Sequence, residues 1–197
     1  MSILDKIKKN STIKESAVLA NSKFFTEKDQ IPTSVPIINV ALSGKMNGGL
    51  TPGLTMWAGP SKNFKTGFSL LMVKAYLDKY PDAAVLFYDS EFGTPQGYFD
   101  TFGIDTERVL HVPLTDLEQL KFDIMQQLEQ VQRGDHLIIV LDSMGNLASK
   151  KEVDDALEGK SAADMTRAKQ FKSLFRMVTP HLNLKDIPMI EIGRAHV

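Results

Sequence analysis

The chain alternates short runs of apolar residues with longer segments in which apolar residues recur every three or four positions. The short runs are residues 54–58, 83–88, 109–112, 137–141 and 187–192. Continuous apolar runs of this length are typical of parallel strands that are buried on both faces. Because such strands alternate with helical segments, the pattern predicts an α/β fold with a mostly parallel sheet and helices on both faces.

Segments with a helical period separate these predicted strands. One helix is predicted over residues 68–80. A short helix over residues 36–42 is favoured by a proline in its first turn and by Gly44 just past its end. A third helix is expected to begin at a capping box of Thr115 and Glu118. Its apolar face consists of Leu117, Leu120, Ile124, Leu128 and Val131.

The chain after residue 142 is first polar and then helical again. Residues 149–160 have no apolar period and are predicted to form a loop. The helix that follows is expected to end at Pro180. Its Lys169, Lys172 and Arg176 share one stripe, a pattern that most often marks a solvated helix face. Its predicted buried residues are Met165, Ala168, Phe171, Leu174, Phe175 and Val178.

Residues 1–30 are predicted to form an N-terminal arm, and residues 31–190 the domain core. In the arm, apolar residues recur at helical spacing between lysines, so we expect two short helices that are broken near Asn10 and Ser11. An amphipathic stripe of this kind is buried either on its own domain or on a neighbouring copy of the chain.

Composition narrows the classes of function. The chain has 197 residues, of which 43% are hydrophobic, and this suits one α/β domain with a proper core. A formal net charge of −1 argues against a broadly basic nucleic-acid surface, so any such contact must be local. The absence of cysteine excludes disulfides, zinc–thiolate sites and thiol nucleophiles, and fits a reducing cytosol. No apolar run approaches the roughly 18 residues of a membrane span, and the first residues lack the apolar core of a secretory signal.

Candidate chemistry is concentrated in eight residues between the first predicted strand and its helix. They match the phosphate-loop pattern at Gly59, Lys65 and Thr66 and depart from it at Phe64, where glycine is usual. In such a loop, backbone N–H groups and a helix N-terminus hold phosphate, the lysine reaches the β- and γ-phosphates, and the hydroxyl binds Mg²⁺. Phe64 fits only if its φ is negative and its ring points away from the nucleotide. The alternative is a lysine-rich surface turn. The predicted ATP-binding loop is Gly59, Pro60, Ser61, Lys62, Asn63, Phe64, Lys65 and Thr66.

Acidic residues follow two of the predicted strands, at the edge where open α/β sheets bind ligands. Asp142 ends one strand and is predicted to support Mg²⁺ together with Thr66. Glu91 is the candidate base that positions or deprotonates the attacking water, with Asp89 as its local rival and a solvated loop acid as the alternative. Tyr98 is a candidate for stacking on a flat base, although an isolated tyrosine more often only packs.

The segments 59–66, 87–92 and 141–152 together resemble the RecA-type recombinases of T-even-type bacteriophages, from about residue 22 to residue 190. These recombinases also carry phenylalanine in place of the last loop glycine. The resemblance implies a RecA-like P-loop NTPase core and a DNA-dependent ATPase that uses ATP and Mg²⁺. In it, Glu91 would activate water and Tyr98 would pack against adenine, while Arg167 and Lys169 would contact DNA phosphates. The first DNA-binding loop would correspond to Asp155, Ala156, Leu157, Glu158, Gly159, Lys160, Ser161 and Ala162.

The resemblance also implies partners. The protein would coat single-stranded DNA as a homo-oligomeric helical filament, with the arm docked on the adjacent protomer, and would pair that strand with homologous duplex DNA. Recombination mediator and single-strand-binding proteins would assist it in the cytoplasm of the bacterial host.

The last seven residues depart from this family. Residues 191–197 match one translated frame of a sequencing adapter, so we expect them to be non-native and the core to be truncated at its C-terminus. Two alternatives remain open for the function. One is another RecA-fold ATPase, such as a hexameric helicase that forms closed rings, and the other is an ATP-binding fragment without turnover.

Overall fold

The computed structural model describes residues 2–22, 24, 28–159 and 165–194. Within these ranges the helices are α1 (Ile3–Asn10), α2 (Pro36–Ser43), α3 (Lys65–Lys79), α4 (Gln96–Thr101), α5 (Leu117–Gln130), α6 (Lys150–Leu157) and α7 (Thr166–Lys185). The strands are β1 (Gly53–Gly59), β2 (Ala84–Asp89), β3 (Val109–Pro113), β4 (Leu137–Asp142) and β5 (Pro188–Arg194).

The strands form one sheet in the order β1–β5–β4–β2–β3, and each pair of neighbours is parallel. The carboxyl ends of the strands therefore share one edge of the sheet. At that edge the register places Asp89 of β2 directly beside Asp142 of β4. The predicted α/β class is confirmed, and the architecture is consistent with a RecA-like core.

Helices cover both faces of the sheet and bury a separate apolar cluster on each. Helix α3 covers one face, and the residues that it buries in the apolar cluster there are Leu70, Met72, Val73, Tyr76 and Leu77. Helices α5 and α7 cover the other face and bury Leu117, Leu120, Ile124, Leu128, Phe171, Leu174, Val178 and Leu182. These clusters hold the strands in place and so fix the edge where the acidic residues lie.

The start of α5 differs from the prediction. Its N-cap is Asp116, whose carboxylate accepts the backbone N–H of Gln119 at 2.8 Å. The predicted capping box of Thr115 and Glu118 is therefore wrong, and Glu118 instead accepts the N–H of Lys150 at 3.0 Å. Aspartate and threonine both cap helices well, so the sequence pattern allowed two adjacent starts.

The loop predicted after β4 is also wrong, because residues 150–157 form α6. Ser149 and Glu152 supply a capping box, and Lys151 forms an ion pair with Asp155 at 2.5 Å. The helix has no buried residue, and its Leu157 is 83% exposed. Caps and side-chain pairs form this helix without an apolar face, which is why apolar periodicity did not reveal it.

Helix α7 continues through Pro180 and ends at Lys185, so the predicted stop is wrong. The last turn carries Leu182, which is fully buried, and this packing offsets the hydrogen bond that proline cannot donate. At the other end, Met165 and Ala168 are exposed, contrary to the prediction. The predicted positions that are buried or half-buried are Phe171, Leu174, Phe175 and Val178.

The arm forms one of its two predicted helices. Helix α1 has a complete capping box of Ser2 and Asp5. In place of the second helix, the described residues of the arm contain only a 3₁₀ turn over Leu19–Asn21, which has no side-chain cap. A short helix without a cap or a packed face is unstable in water, which accounts for the difference. Within the described ranges, no helix has the length and apolar character needed to cross a bilayer.

Strand β5 extends through Arg194 and therefore includes four residues of the segment predicted to be non-native. Its Glu191 is fully buried, and neither carboxyl oxygen has a hydrogen-bond partner in the described part of the chain. Burial raises the pKa of Glu191 to about 7. A buried carboxyl without a partner destabilises a fold, so position 191 is a poor fit to this sheet.

Candidate functional site

Most of the residues predicted to bind nucleotide line one pocket of about 300 Å³ at the carboxyl ends of the strands. The pocket lies between the loop after β1, the turn after β2 and the end of β4. Gly59 and Pro60 begin the loop without being among its lining residues. The predicted residues that line it are Ser61, Lys62, Asn63, Phe64, Lys65, Thr66, Glu91, Tyr98 and Asp142.

The loop after β1 has an unusual backbone. Lys62 and Phe64 have φ angles of 66° and 55°, in the left-handed region that favours glycine. The expectation of a negative φ at Phe64 is therefore wrong, whereas its ring is 74% exposed. Phe64 is the N-cap residue of α3 and provides no side-chain cap. The first amide groups of α3 thus stay available to an anion.

Lys65 and Thr66 occupy the first turn of α3 and face the pocket. The ammonium group of Lys65 donates to the carbonyl of Pro60 across the loop, at 2.6 Å. The hydroxyl of Thr66 donates to Oδ2 of Asp142 at 2.7 Å. A cation and a hydroxyl–carboxylate pair therefore meet in the same pocket.

Asp142 is only 3% exposed, and this burial raises its pKa to about 6. The hydrogen bond from Thr66 and the charge of Lys65 oppose the rise, whereas the neighbouring carboxylates of Glu91 and Asp89 add to it. A carboxylate that is destabilised in this way gains more from a nearby cation than a solvated one does.

The donor set suits Mg²⁺ that is bound mainly through phosphate and water. The Thr66 hydroxyl and the Asp142 carboxylate are hard oxygen donors, and they lie within 2.7 Å of each other. Across the described ranges, no group of three or more acidic or histidine side chains could hold a metal ion. Because Mg²⁺ commonly takes one or two protein ligands beside substrate phosphates, these two residues fit the role predicted for them.

Glu91 lies on a turn that is fixed at both its backbone and its side chain. Oδ1 of Asp89 accepts the N–H groups of Glu91 and Phe92 at 2.9 and 2.7 Å. Oε1 of Glu91 accepts the hydroxyl of Ser143 at 2.7 Å. Asp89 is buried, and its Oδ2 lies 3.1 Å from Nε2 of His111. Because these contacts occupy Asp89, the exposed Glu91 is the better candidate base.

The sequence did not predict a role at this site for Ser90, Ser143 or Gly67. The pocket is also lined by residues that were not predicted, which are Gly93, Thr94, Ile192, Gly193 and Arg194. The hydroxyl of Ser90 donates to the carbonyl of Ser143 at 2.6 Å and accepts the Ser143 N–H at 3.1 Å, which joins the ends of β2 and β4. A Cβ atom on Gly67 would lie 3.1 Å from the hydroxyl of Tyr98 and 3.4 Å from the ring of Phe102. Ser90, Ser143 and Gly67 each directly follow a strand-terminal acid or the loop threonine, and that adjacency is the signal that could have found them.

Tyr98 is half-buried and lines the pocket on α4. Its ring packs edge-on against Phe102, with 5.3 Å between the ring centroids. Packing therefore explains part of its position, and stacking on a base stays a prediction.

The segment predicted as the first DNA-binding loop is partly helical. Asp155 to Leu157 form the end of α6, and Glu158 and Gly159 follow it. Lys160, Ser161 and Ala162 lie outside the described residues. DNA contact by this segment stays a prediction.

Arg167 makes contacts within the protein. Its guanidinium donates to the carbonyls of Leu147, Met144 and Gly145 at 2.7, 2.7 and 3.0 Å. Lys169, two residues later on α7, is exposed. Phosphate contact by both residues stays a prediction, and the structure adds a second role for Arg167, which is to hold the turn after β4.

The chain is similar to a protein of Enterobacteria phage T4 that is described as "Recombination and repair protein". The two are 52% identical over 188 residues, which is 95% of this chain. The chain spans 48% of the length of that relative. No protein-family model matches the chain.

Proposed function

We propose that this chain carries the nucleotide site of an ATP-dependent, RecA-type recombinase that acts in DNA recombination and repair, similar to the UvsX recombinase of T-even-type bacteriophages. The observation that most directly supports this proposal is that one pocket at the carboxyl ends of parallel strands is lined by Lys65, Thr66, Glu91 and Asp142. The identity of 52% to a recombination and repair protein of phage T4 supports the biological role.

The first part of the mechanism is the binding of the triphosphate. The amide groups at the start of α3 and the ammonium group of Lys65 would bind the β- and γ-phosphates. Thr66 and Asp142 would hold Mg²⁺, which neutralises charge on the phosphates when it is bound. The exposed ring of Phe64 leaves the inner side of the loop to its backbone.

The second part is the activation of water by Glu91. Its carboxylate would accept a hydrogen bond from a water molecule in line with the γ-phosphate. It would take the proton as the new P–O bond forms and the bond from the γ-phosphorus to the β–γ bridging oxygen breaks, with ADP as the leaving group. Asp89 holds the backbone of this turn, so Glu91 approaches the phosphate on a fixed support. Hydrolysis then leaves ADP and phosphate in the pocket.

The third part is assembly on DNA. We propose that copies of the protein coat single-stranded DNA as a helical filament, with α1 docked on the neighbouring copy. Helix α1 leaves Ile3, Leu4 and Ile7 between 49% and 72% exposed, and such a stripe needs a partner surface. A head-to-tail contact whose rotation does not close on itself produces an open helical filament, and we propose that this contact is of that kind.

The proposal is tested by ATP hydrolysis and equilibrium binding in the presence of single-stranded DNA. Glu91→Gln should lower kcat by about 100-fold or more and leave the Kd for Mg-ATP unchanged, because only the base is lost. Glu129→Gln, an acid on α5 outside the pocket, is the control.

Three results would change the proposal. A full rate in Glu91→Gln would place the base elsewhere. Binding by the wild-type chain without any turnover would favour an ATP-binding fragment. Closed rings on single-stranded DNA in electron micrographs would favour a helicase.

A further inference from the structure

Ser143 makes a contact that the proposed roles do not yet use. It directly follows β4 and is only 2% exposed. Its backbone N–H and carbonyl are both bonded to the hydroxyl of Ser90, at 3.1 and 2.6 Å. With the backbone held in this way, the one hydroxyl proton of Ser143 is directed at Oε1 of Glu91, at 2.7 Å.

This contact determines where the Glu91 carboxylate can lie. Glu91 itself is exposed, and an exposed glutamate samples several rotamers. A donor on a buried, immobile residue selects one of them. It also occupies Oε1, and among the described residues nothing is hydrogen-bonded to Oε2. The second oxygen is therefore the one that could accept a proton from water.

Helix α7 holds the backbone turn that begins at Ser143. Ser143 is the N-cap of the 3₁₀ turn Met144–Asn146. Arg167 donates to three carbonyls of that turn and its end, those of Met144, Gly145 and Leu147. Its guanidinium also lies over the ring of Phe171, 5.2 Å from the centroid. Three hydrogen bonds thus connect the start of α7 to the backbone that carries Ser143, and the contact with Phe171 holds the guanidinium in place within α7.

We propose that Ser143 is a positioning residue for the Glu91 carboxylate and that Arg167 holds the turn from which Ser143 acts. This inference rests on the proposed function, since it assigns Glu91 the task of orienting water. A general base must lie within hydrogen-bond reach of its proton, and small displacements are costly for the rate.

The main test is a double-mutant cycle on ATP turnover in the full chain. Ser143→Ala should lower kcat by about 10-fold or more, because Glu91 loses its fixed rotamer. The Kd for Mg-ATP should stay within about threefold of the wild type, because the phosphate ligands are untouched. Ser143→Thr keeps the hydroxyl and should restore most of the rate.

The double-mutant cycle distinguishes a Ser143 that positions Glu91 from a Ser143 that affects turnover independently of Glu91. In the Glu91→Gln background, Ser143→Ala should change kcat by less than about twofold, because the carboxylate it positions is already gone. Effects that multiply would overturn the inference. A large loss of nucleotide affinity in Ser143→Ala would also overturn it, since that would point to distortion of the adjacent Asp142.

A second cycle does not depend on turnover, so it separates this inference from the proposed function. If the wild-type protein never hydrolyses ATP, the proposed function is contradicted and the inference about Ser143 is not. The unfolding equilibrium constants of Ser143→Ala, Glu91→Ala and the double variant then test the contact directly. We expect a coupling of about fivefold or more, as for a hydrogen bond to a charged group. Independent effects would overturn the inference.

Arg167→Lys tests the supporting contact, because lysine keeps the charge and loses the planar set of donors. It should weaken the Ser143–Glu91 coupling by about twofold or more. Arg176→Lys, which is exposed on the same helix, is the matched control and should leave the coupling unchanged. Equal coupling in both lysine variants would remove Arg167 from the inference.

Discussion

The two ends of the sheet differ in the surroundings of their acidic side chains. At the amino ends lies the larger cavity, of about 530 Å³, lined by residues such as Asp29, Arg133 and Asp186. There Arg133 pairs with Asp186 at 2.6 Å. Hydrogen bonds from Lys79 and Tyr80 lower the pKa of Asp29 below its ordinary value.

At the carboxyl ends the pocket is smaller, about 300 Å³. There Asp89 lies 3.1 Å from His111, whereas Asp142 accepts the neutral hydroxyl of Thr66. Asp89, Glu91 and Asp142 lie near one another, and burial together with these neighbours raises the pKa of Asp142 to about 6. Left-handed backbone at Lys62, Phe64 and Phe92 adds strain at the same end. Of these two cavities, size alone would favour the one at the amino end. The raised pKa of Asp142, together with left-handed backbone at three non-glycine residues against one, Asp186, at the amino end, favours the carboxyl end as the candidate functional one.

The largest expected effect concerns the buried acids and pH. Burial raises the pKa values of Asp142 and Glu191 to about 6 and about 7, from ordinary values of 3.8 and 4.5. The folded protein therefore binds more protons than the unfolded chain. Stability from these groups is fully present below about pH 4 and is lost as the pH rises toward about pH 7.

Asp142→Asn and Glu191→Gln should each increase the free energy of unfolding at about pH 8 by about 3 kcal/mol, from about 1.4 kcal/mol for each unit of pKa. Each variant should also flatten the pH dependence, measured by urea unfolding between about pH 5 and about pH 8. Asp142→Asn should weaken Mg-ATP binding, whereas Glu191→Gln should leave it unchanged. A wild-type stability that does not fall over this range would contradict the account.

A smaller effect concerns the strained loop. Phe64→Gly should raise the free energy of unfolding by up to about 1 kcal/mol, because glycine adopts a left-handed backbone without strain. The freedom that glycine gains in the unfolded chain offsets part of this increase. Nucleotide affinity should be unchanged, since the ring is 74% exposed. Lys62→Gly tests the same backbone effect at the second left-handed position. Lost affinity in Phe64→Gly would mean that the ring takes part in binding.

The smallest effect is expected at the amino end. Asp29→Asn removes an ion pair with Lys79 whose two side chains are 58% and 33% exposed. It should lower stability by less than about 1 kcal/mol, as is usual for exposed pairs. Because the pKa of Asp29 is lowered, this contribution is present above its ordinary pKa and disappears as the pH falls below it. A change in nucleotide affinity in Asp29→Asn would contradict the distinction between the two ends.

Apolar patterning predicted the strands and the main helices because each is held by a buried stripe, such as Leu117, Leu120 and Ile124 on α5. Apolar patterning did not predict α6 or the full length of α7. Helix α6 depends on the capping box of Ser149, and α7 passes Pro180 because a buried turn lies beyond it. Helix α6 has no buried apolar stripe, whereas Leu182 continues the stripe of Leu174 and Val178 past Pro180, so there packing outweighed the rule that proline ends a helix.

The sequence predicted the main residues of the candidate site better than it predicted the hydrogen bonds between them. Lys65 and Asp142 follow from their places after a loop and a strand, because parallel strands bring their carboxyl ends together. The links through Ser143 and Asp89 depend on side-chain directions in folded turns, which the sequence does not specify. The left-handed φ of Phe64 was likewise predictable only from the folded loop.

The most direct test of the central claim is the equilibrium Kd for Mg-ATP of the wild type, Lys65→Ala and Lys79→Ala, measured by titration calorimetry. If triphosphate binds at the carboxyl end, Lys65→Ala should weaken binding by about 100-fold or more, because the phosphates lose a charged hydrogen-bond donor. Lys79→Ala, which removes a lysine at the amino end, should bind as the wild type does. Equal affinity in Lys65→Ala and the wild type, or a loss confined to Lys79→Ala, would contradict the account.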